Sequence, residues 1–228
     1  MFRVDCQVQS WSKPRMSTNR RSTRSNPVTA RGAATRTRIV ETAAKLVSVR
    51  GVAGTSLDDI MEASGTSKSQ LYHYFADRDA LMCAVVEVQA AHVLDFQESC
   101  LLKVKSLADL REWRDKILEI NRGNGCVGGC PIGSLASELA DRSESARQLL
   151  VRSFATWEGH LALSLSAMRD RGELHADANP NDLATAVISA LQGGLLLAQT
   201  TRATRPLELA LDMALDHVAH HLTRAGQG

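Results

Sequence analysis

Thr55 to Phe75 reads TSLDDIMEASGTSKSQLYHYF, and the fold follows from this stretch. Thr55-Ser56 offers a helix N-cap, and Asp58 and Asp59 fall in the first turn, where the positive end of the helix dipole favours carboxylates. Leu57, Ile60 and Met61 give that helix one apolar side, and Gly65 stands where a helix stops. Thr66 or Ser67 then caps a second short helix, Lys68 to Phe75. Two short helices joined by a tight glycine-containing turn make a helix-turn-helix, whose second helix lies in the DNA major groove with its first residues at the base edges.

The residue types at the start of that second helix suit the task. Thr66, Ser67, Lys68, Ser69 and Gln70 are small or polar. Gln70 has the donor and acceptor to pair with adenine, and Lys68 can reach guanine or a phosphate. Leu71 and Phe75 are expected to anchor the helix to a small core, while Tyr72, His73, Tyr74 and the following Arg78 have the reach for phosphates. Thr55 and Ser56 join the expected DNA-contacting set from the preceding turn.

Working outward, Ile39, Ala43, Leu46 and Val47 recur at helical spacing and end at Gly51, which predicts a helix upstream. Downstream, Asp77 caps a helix running toward Leu101. Further helices are expected over 107–120, 134–140, 143–170, 182–201 and 207–222. The segment 123–133 is a glycine-rich break, and Gly172 and Asn179-Pro180 mark a loop. No strand alternation is evident, so the expected fold is all-α with about nine helices. Three regions are expected: a disordered basic arm (1–32), a helix-turn-helix domain (33–79) and a ligand-binding and dimerisation domain (80–228).

The charge is distributed unevenly. Residues 1–38 carry nine basic side chains against Asp5 alone, a net +8; with +2 over the 228 residues, the remainder carries −6. A basic end on an acidic body suits a polyanionic partner, although a solvated tail has the same composition. No apolar run follows the N-terminal Arg3, Lys13 and Arg15, so no secretory signal is expected. No membrane span and a cytoplasmic location are expected. The five cysteines are odd in number and show no framework spacing.

Thr35 to Leu81 resembles the N-terminal domain of the TetR family of repressors. The resemblance is carried by TAAKLVSVRG, TSLDDI, SGTSKSQLYHYF and the following DRDAL. Arg78 stands where the family usually has Lys, and Tyr74 where His is common. The resemblance implies a homodimer paired through the last two helices, a (pseudo)palindromic double-stranded DNA operator, and a small-molecule inducer held in the helical body. Gly193-Gly194 would allow close backbone approach in the first of those two helices.

Phe96, Trp113, Phe154, Trp157, Leu161 and Gln192 are the expected inducer-pocket residues, and their apolar character suggests a lipophilic inducer. Aromatic residues at helical spacing are more often core than pocket. The stretch GNGCVGGCPIGSLASELAD (123–141) resembles one found in a branch of the family related to multidrug-efflux repressors. Cys126 and Cys130 within it suggest an alternative, a redox- or electrophile-sensing regulator, if the helix start beside Pro131 lowers a thiol pKa. Two cysteines without further ligands make an incomplete zinc set, and neither a metal nor a cofactor is expected. Two other classes fit the sequence less well: a cysteine-dependent enzyme, for which no Cys-His pair at diagnostic spacing or phosphate loop is evident, and a ligand carrier that has lost DNA binding, against which the polar start of Lys68–Phe75 argues. The chain is expected to be a non-enzyme.

Overall fold

A computed structural model describes residues 30–223. Among them are nine helices and no strand: α1 (Ala30–Arg50), α2 (Leu57–Ser64), α3 (Lys68–Tyr74), α4 (Arg78–Leu101), α5 (Leu107–Gly123), α6 (Pro131–Leu139), α7 (Glu144–Asp170), α8 (Pro180–Thr201) and α9 (Arg205–His220). α1 already begins at Ala30, so residues 30–32 are helical where a disordered arm was expected. The rest of that arm lies outside the described residues.

Local chemistry fixes the first helices. Ser56 caps α2 by accepting the Asp59 N–H, and Asp59 returns the bond by accepting the Ser56 N–H at 2.9 Å. α2 ends at Gly65 in the left-handed conformation, φ +63°, with the Thr66 N–H closing onto the Met61 carbonyl. Ser67 and Gln70 repeat the reciprocal cap on α3, and Asp77 caps α4. Ile39, Val40, Ala43 and Val47 of α1 pack with Ile60, Leu71 and Phe75 into the core of this small head. Arg38 Nε donates to the Ser64 carbonyl at 3.0 Å, and the Arg36 guanidinium lies 5.3 Å from the Phe75 ring centre. Two residues counted in the basic end, 1–38, therefore help hold the head together.

α4 leaves the head and enters the body without a glycine or proline along its length. It packs on α1 at one end and on α6 and α7 further along. α8 and α9 form the most extensive helix pair, with α7 against α8 and α5 against α9. At Gly194 a methyl group would stand 2.9 Å from Leu207 Cα, so α8 and α9 cross in backbone contact there; Gly193 faces open space. Only the second of the two glycines permits a close approach. An isolated antiparallel bridge, Leu174 to Leu222, ties the loop after α7 to the end of α9.

α8 bears on the expectation that no membrane span is present: by length and composition it is apolar enough to cross one, with a mean hydropathy of 1.4 over an 18-residue window of which 39% is buried within the chain. Its Leu183, Ala184, Val187, Ile188 and Leu191 are buried in the bundle, while Leu196 and Leu197 stand exposed.

Candidate functional site

α3 stands out from the head as the second helix of the helix-turn-helix. Leu71 is fully buried and Phe75 nearly so, which pins its inner side. Ser67, Lys68, Ser69, Gln70, Tyr72 and His73 are exposed, and Tyr74 is half-buried with its ring edge-on to His73 at 4.8 Å. The exposed row places one cation and several hydrogen-bonding groups on the outer side of a short helix, the pattern required for base and phosphate contacts.

Several expected DNA-contacting residues turn out to have structural duties. Thr55 is 1% exposed, and its hydroxyl donates to the Gly51 carbonyl at 2.8 Å. Thr66 is also buried, its hydroxyl 2.6 Å from that of Ser64. A hydroxyl facing the interior must find an internal partner, so neither side chain points outward. Ser56 is exposed, but its hydroxyl serves the α2 cap. The hydrogen bonds from Ser56 hold the Asp59 carboxyl below the usual carboxylate range. Gln70 Oε1 accepts the Ser67 N–H at 2.9 Å, so one of its two lone pairs serves the cap and the other is left for a base. Arg78, expected at a phosphate, donates through Nη2 to the carbonyls of Val52 and Thr55.

The turn between α1 and α2 is gripped from a second side. Glu138, near the end of α6, accepts the N–H groups of Val52 at 2.8 Å and Ala53 at 3.2 Å. Glu138 was not expected at the site. It lies inside the 123–141 stretch that also carries Cys126 and Cys130, and its partners are 86 and 85 residues away in the chain. The same carboxylate sits against Gly51, whose φ is +73°.

Besides a cavity of ≈ 430 Å³ lined by Gly51 and Glu138 where the body meets the head, two cavities of the body hold expected pocket residues. A cavity of ≈ 860 Å³ between α6, α7 and α8 is lined by Phe154 and Gln192, with Ser137 and Glu138 on its α6 wall. A smaller one, ≈ 260 Å³, is lined by Phe96 and Trp157 among others. The expected pocket residues thus divide into two pairs. Trp113 and Leu161 line neither cavity and belong to the core; the Trp113 indole N–H is already spent on Gln97 Oε1 at 2.8 Å.

The cysteine stretch wraps the start of α6. Cys126 adopts a left-handed φ of +56°, with its sulfur 3.5 Å from the Thr204 hydroxyl. Cys130 caps α6, accepting the Gly133 N–H at 3.4 Å and the Gln192 side-chain amide at 3.5 Å. Burial pushes the Cys130 thiol up, opposite to the lowering expected from the helix start, because desolvation of a thiolate outweighs these weak bonds.

This arrangement can be set beside known proteins. Residues 39–85 match the family model described as bacterial regulatory proteins, tetR family, and residues 106–214 match that of the tetracyclin repressor-like C-terminal domain. An HTH-type transcriptional regulator encoded in the lacX 3′ region of Lactococcus lactis is 32% identical over 184 residues, covering 78% of this chain and 90% of that protein. The chain belongs to the TetR family of transcriptional regulators. A TetR regulator from Chloroflexus aurantiacus has a similar structure, with a TM-score of 0.72, 27% identity and coverage of 84% of this chain and 98% of that one. The reduced form of Escherichia coli NemR gives a TM-score of 0.65 at 25% identity over 83% and 97% of the two chains. As a member of the TetR family, the protein is a DNA-binding transcriptional regulator, with α1–α3 as its reading head.

Proposed function

We propose that the protein is a homodimeric repressor that binds a (pseudo)palindromic operator and is released from it by a small molecule held in its helical body. The observation that carries this reading is the exposed row Ser67–Gln70, Tyr72 and His73 on a helix pinned from behind by Leu71 and Phe75. Lys68 and the exposed aromatic and imidazole groups make the base and phosphate contacts, while Arg78 and Glu138 position the turn that carries them. In a cytoplasmic dimer, α8 and α9 form the subunit contact. Leu196, Leu197, Leu209 and Met213 on these helices are all at least half exposed in the single chain, an apolar face that a second copy would cover.

Ligand control is supported by the placement of α6. One end of this helix lines both cavities through Cys130, and Glu138 near the other end holds the turn between α1 and α2. A ligand that favours one position of α6 thereby biases the setting of the reading head. The raised Cys130 thiol argues for small-molecule binding over thiol chemistry as the signal. The protein acts by binding alone, without catalysis.

The test is fluorescence-anisotropy binding to DNA upstream of the protein's own gene at two salt concentrations, for the wild type and for Lys68→Ala. Tight binding that weakens steeply with salt is expected, with a salt slope smaller by about two in the variant, about one for each subunit of the dimer. Affinity no greater than for random DNA throughout that upstream region would count against self-regulation. Indifference to Lys68→Ala and to salt would count against DNA reading by α3.

A further inference from the structure

The stretch Ala30 to Arg38 precedes Ile39, the first buried side chain of α1. At about 1.5 Å per residue it makes an overhang of roughly 13 Å. Most helical stability in proteins comes from packing an apolar face, so these turns gain little from the core of the head. Arg31, Arg36 and Arg38 are all exposed on the overhang, and the first acidic residue of α1 is Glu41. Among the described residues, neither Arg31 nor Arg36 is in an ion pair.

Two contacts fix where the overhang stands. Arg38 Nε donates to the Ser64 carbonyl at 3.0 Å, just ahead of Ser67, the cap of α3. The Arg36 guanidinium lies 5.3 Å from the ring centre of Phe75, the residue that closes α3. The overhang is thus tied once before the recognition helix and once after it. Arg31 lies about two helical turns from Arg38 along the same side of α1, the side that meets the α2–α3 turn. Arg36, laid against Phe75, keeps its N–H donors around the edge of the guanidinium plane, in the fork geometry that suits a phosphate.

We infer that the overhang of α1 is a second DNA-binding element, which grips the sugar-phosphate backbone beside the groove that α3 enters, through Arg31 and Arg36. Charge and continuity single out DNA as the partner. The patch carries no acidic side chain, it is tied to both ends of α3, and the sequence before Ala30 adds Arg3, Lys13, Arg15, Arg20, Arg21 and Arg24 against Asp5 alone. Backbone contacts of this kind set the register of a reading head on the duplex and carry no sequence information. The inference rests on the DNA-reading role proposed for α3 and differs from it in kind: the overhang contributes the same affinity on any sequence.

The experiment is fluorescence-anisotropy titration of the full-length protein with two duplexes, one of random sequence and one from upstream of its own gene, between about 50 and 200 mM salt. Arg31→Ala and Arg36→Ala are each expected to lower the salt slope by about two, about one for each subunit of a dimer, and to weaken both duplexes by the same factor, roughly tenfold near 100 mM salt. Arg31→Lys keeps the charge and should keep most of the slope. Arg152→Ala removes an exposed charge from α7 in the body and should leave the slope unchanged. If Arg36→Ala melts early, the Arg31→Ala arm decides, since Arg31 is exposed and alanine is a strong helix former. A slope on the random duplex untouched by Arg31→Ala overturns the inference, as does a loss that Arg152→Ala matches or one confined to the upstream duplex. Lys68→Ala is measured in parallel. A slope that falls with Arg31→Ala but not with Lys68→Ala leaves the overhang standing and counts against α3 as the reader, whereas the reverse pattern sinks the overhang alone.

Discussion

The carboxylate of Glu138 accepts the backbone N–H of Val52 at 2.8 Å, while Arg78 donates to the carbonyl of the same residue from the opposite side. One peptide position in the turn before α2 is thus held by α6 and by the first residue of α4. Neither grip is a generic surface contact: both are charge-assisted bonds to backbone groups.

Removing the α6 grip should loosen the turn without unfolding the body. For Glu138→Ala, amide hydrogen exchange at Val52 and Ala53 is expected to accelerate by roughly fivefold, since a hydrogen bond of this kind contributes about 1 kcal/mol when half exposed. The Ile60 amide, inside α2, is the internal control. An unchanged rate at Val52 would show that Glu138 does not hold the turn.

The two grips should also be coupled. Arg78→Ala leaves the carbonyls of Val52 and Thr55 without their guanidinium and is expected to lower stability by about 1 kcal/mol in urea unfolding. Because Arg78 and Glu138 share Val52, the double variant should depart from additivity by about 0.5 kcal/mol or more. Strict additivity would mean that the turn responds to each side independently.

The apolar face of α8 and α9 gives a prediction about assembly. Leu196→Glu and Met213→Glu each place a carboxylate where the side chain is 63% or 68% exposed in the single chain, so neither disturbs the monomer core. Sedimentation should show a dimer for the wild type and a shift toward monomer for either variant, with weaker operator binding as a consequence. A dimer that survives both changes would place the subunit contact elsewhere.

The α8–α9 crossing gives a paired test. A methyl at Gly194 would meet Leu207 Cα at 2.9 Å and Ala210 Cβ at 3.1 Å, so Gly194→Ala must push the helices apart. The expected cost is about 1–3 kcal/mol, more than the helix-propensity gain of roughly 1 kcal/mol. At Gly193 the methyl meets nothing in the chain, and Gly193→Ala should keep that gain. Equal effects at the two positions would contradict the crossing.

The cysteine stretch yields a pH prediction with a definite sign. Burial disfavours the Cys130 thiolate, so at a given pH less thiolate is present than in an unstructured peptide. Iodoacetamide should therefore modify Cys130 more slowly than a peptide thiol near neutrality, as followed by peptide mass spectrometry. The rate should still be climbing above about pH 9.5, where an ordinary thiol has largely levelled off. Modification at pH 7 faster than the peptide reference would restore thiol sensing as the better reading.

The parts of this molecule that were legible in sequence are those with local causes. The caps at Ser56, Ser67 and Asp77 each depend on a side chain and an N–H within three residues, and each falls at a position, or at one of two adjacent positions, where the sequence offered a cap. Helix starts after proline were placed late: α6 begins at Pro131, before the expected 134, α8 at Pro180, before 182, and α9 at Arg205, before 207. Pro180 was read as part of a loop, yet a proline in the first helical turn loses no hydrogen bond, because its missing N–H would have no partner there. The inward turn of Thr55 and Thr66 and the duties of Arg78 and Glu138 were hidden for a different reason. Each is decided by a partner that only the folded chain brings near, as with Glu138 and Val52, 86 residues apart.

α4 runs for 24 residues without a glycine or proline, from Arg78 at the reading head to the far side of Phe96 and Gln97 at the smaller cavity. At about 1.5 Å per residue that is a rod of roughly 36 Å. A rod of this length works as a lever: a tilt of about 5° moves one end by about 3 Å relative to the other, close to the rise of roughly 3.4 Å per base along a DNA strand. A displacement too small to disturb the packing at the cavity end is thus, at the other end, a change of register against the bases.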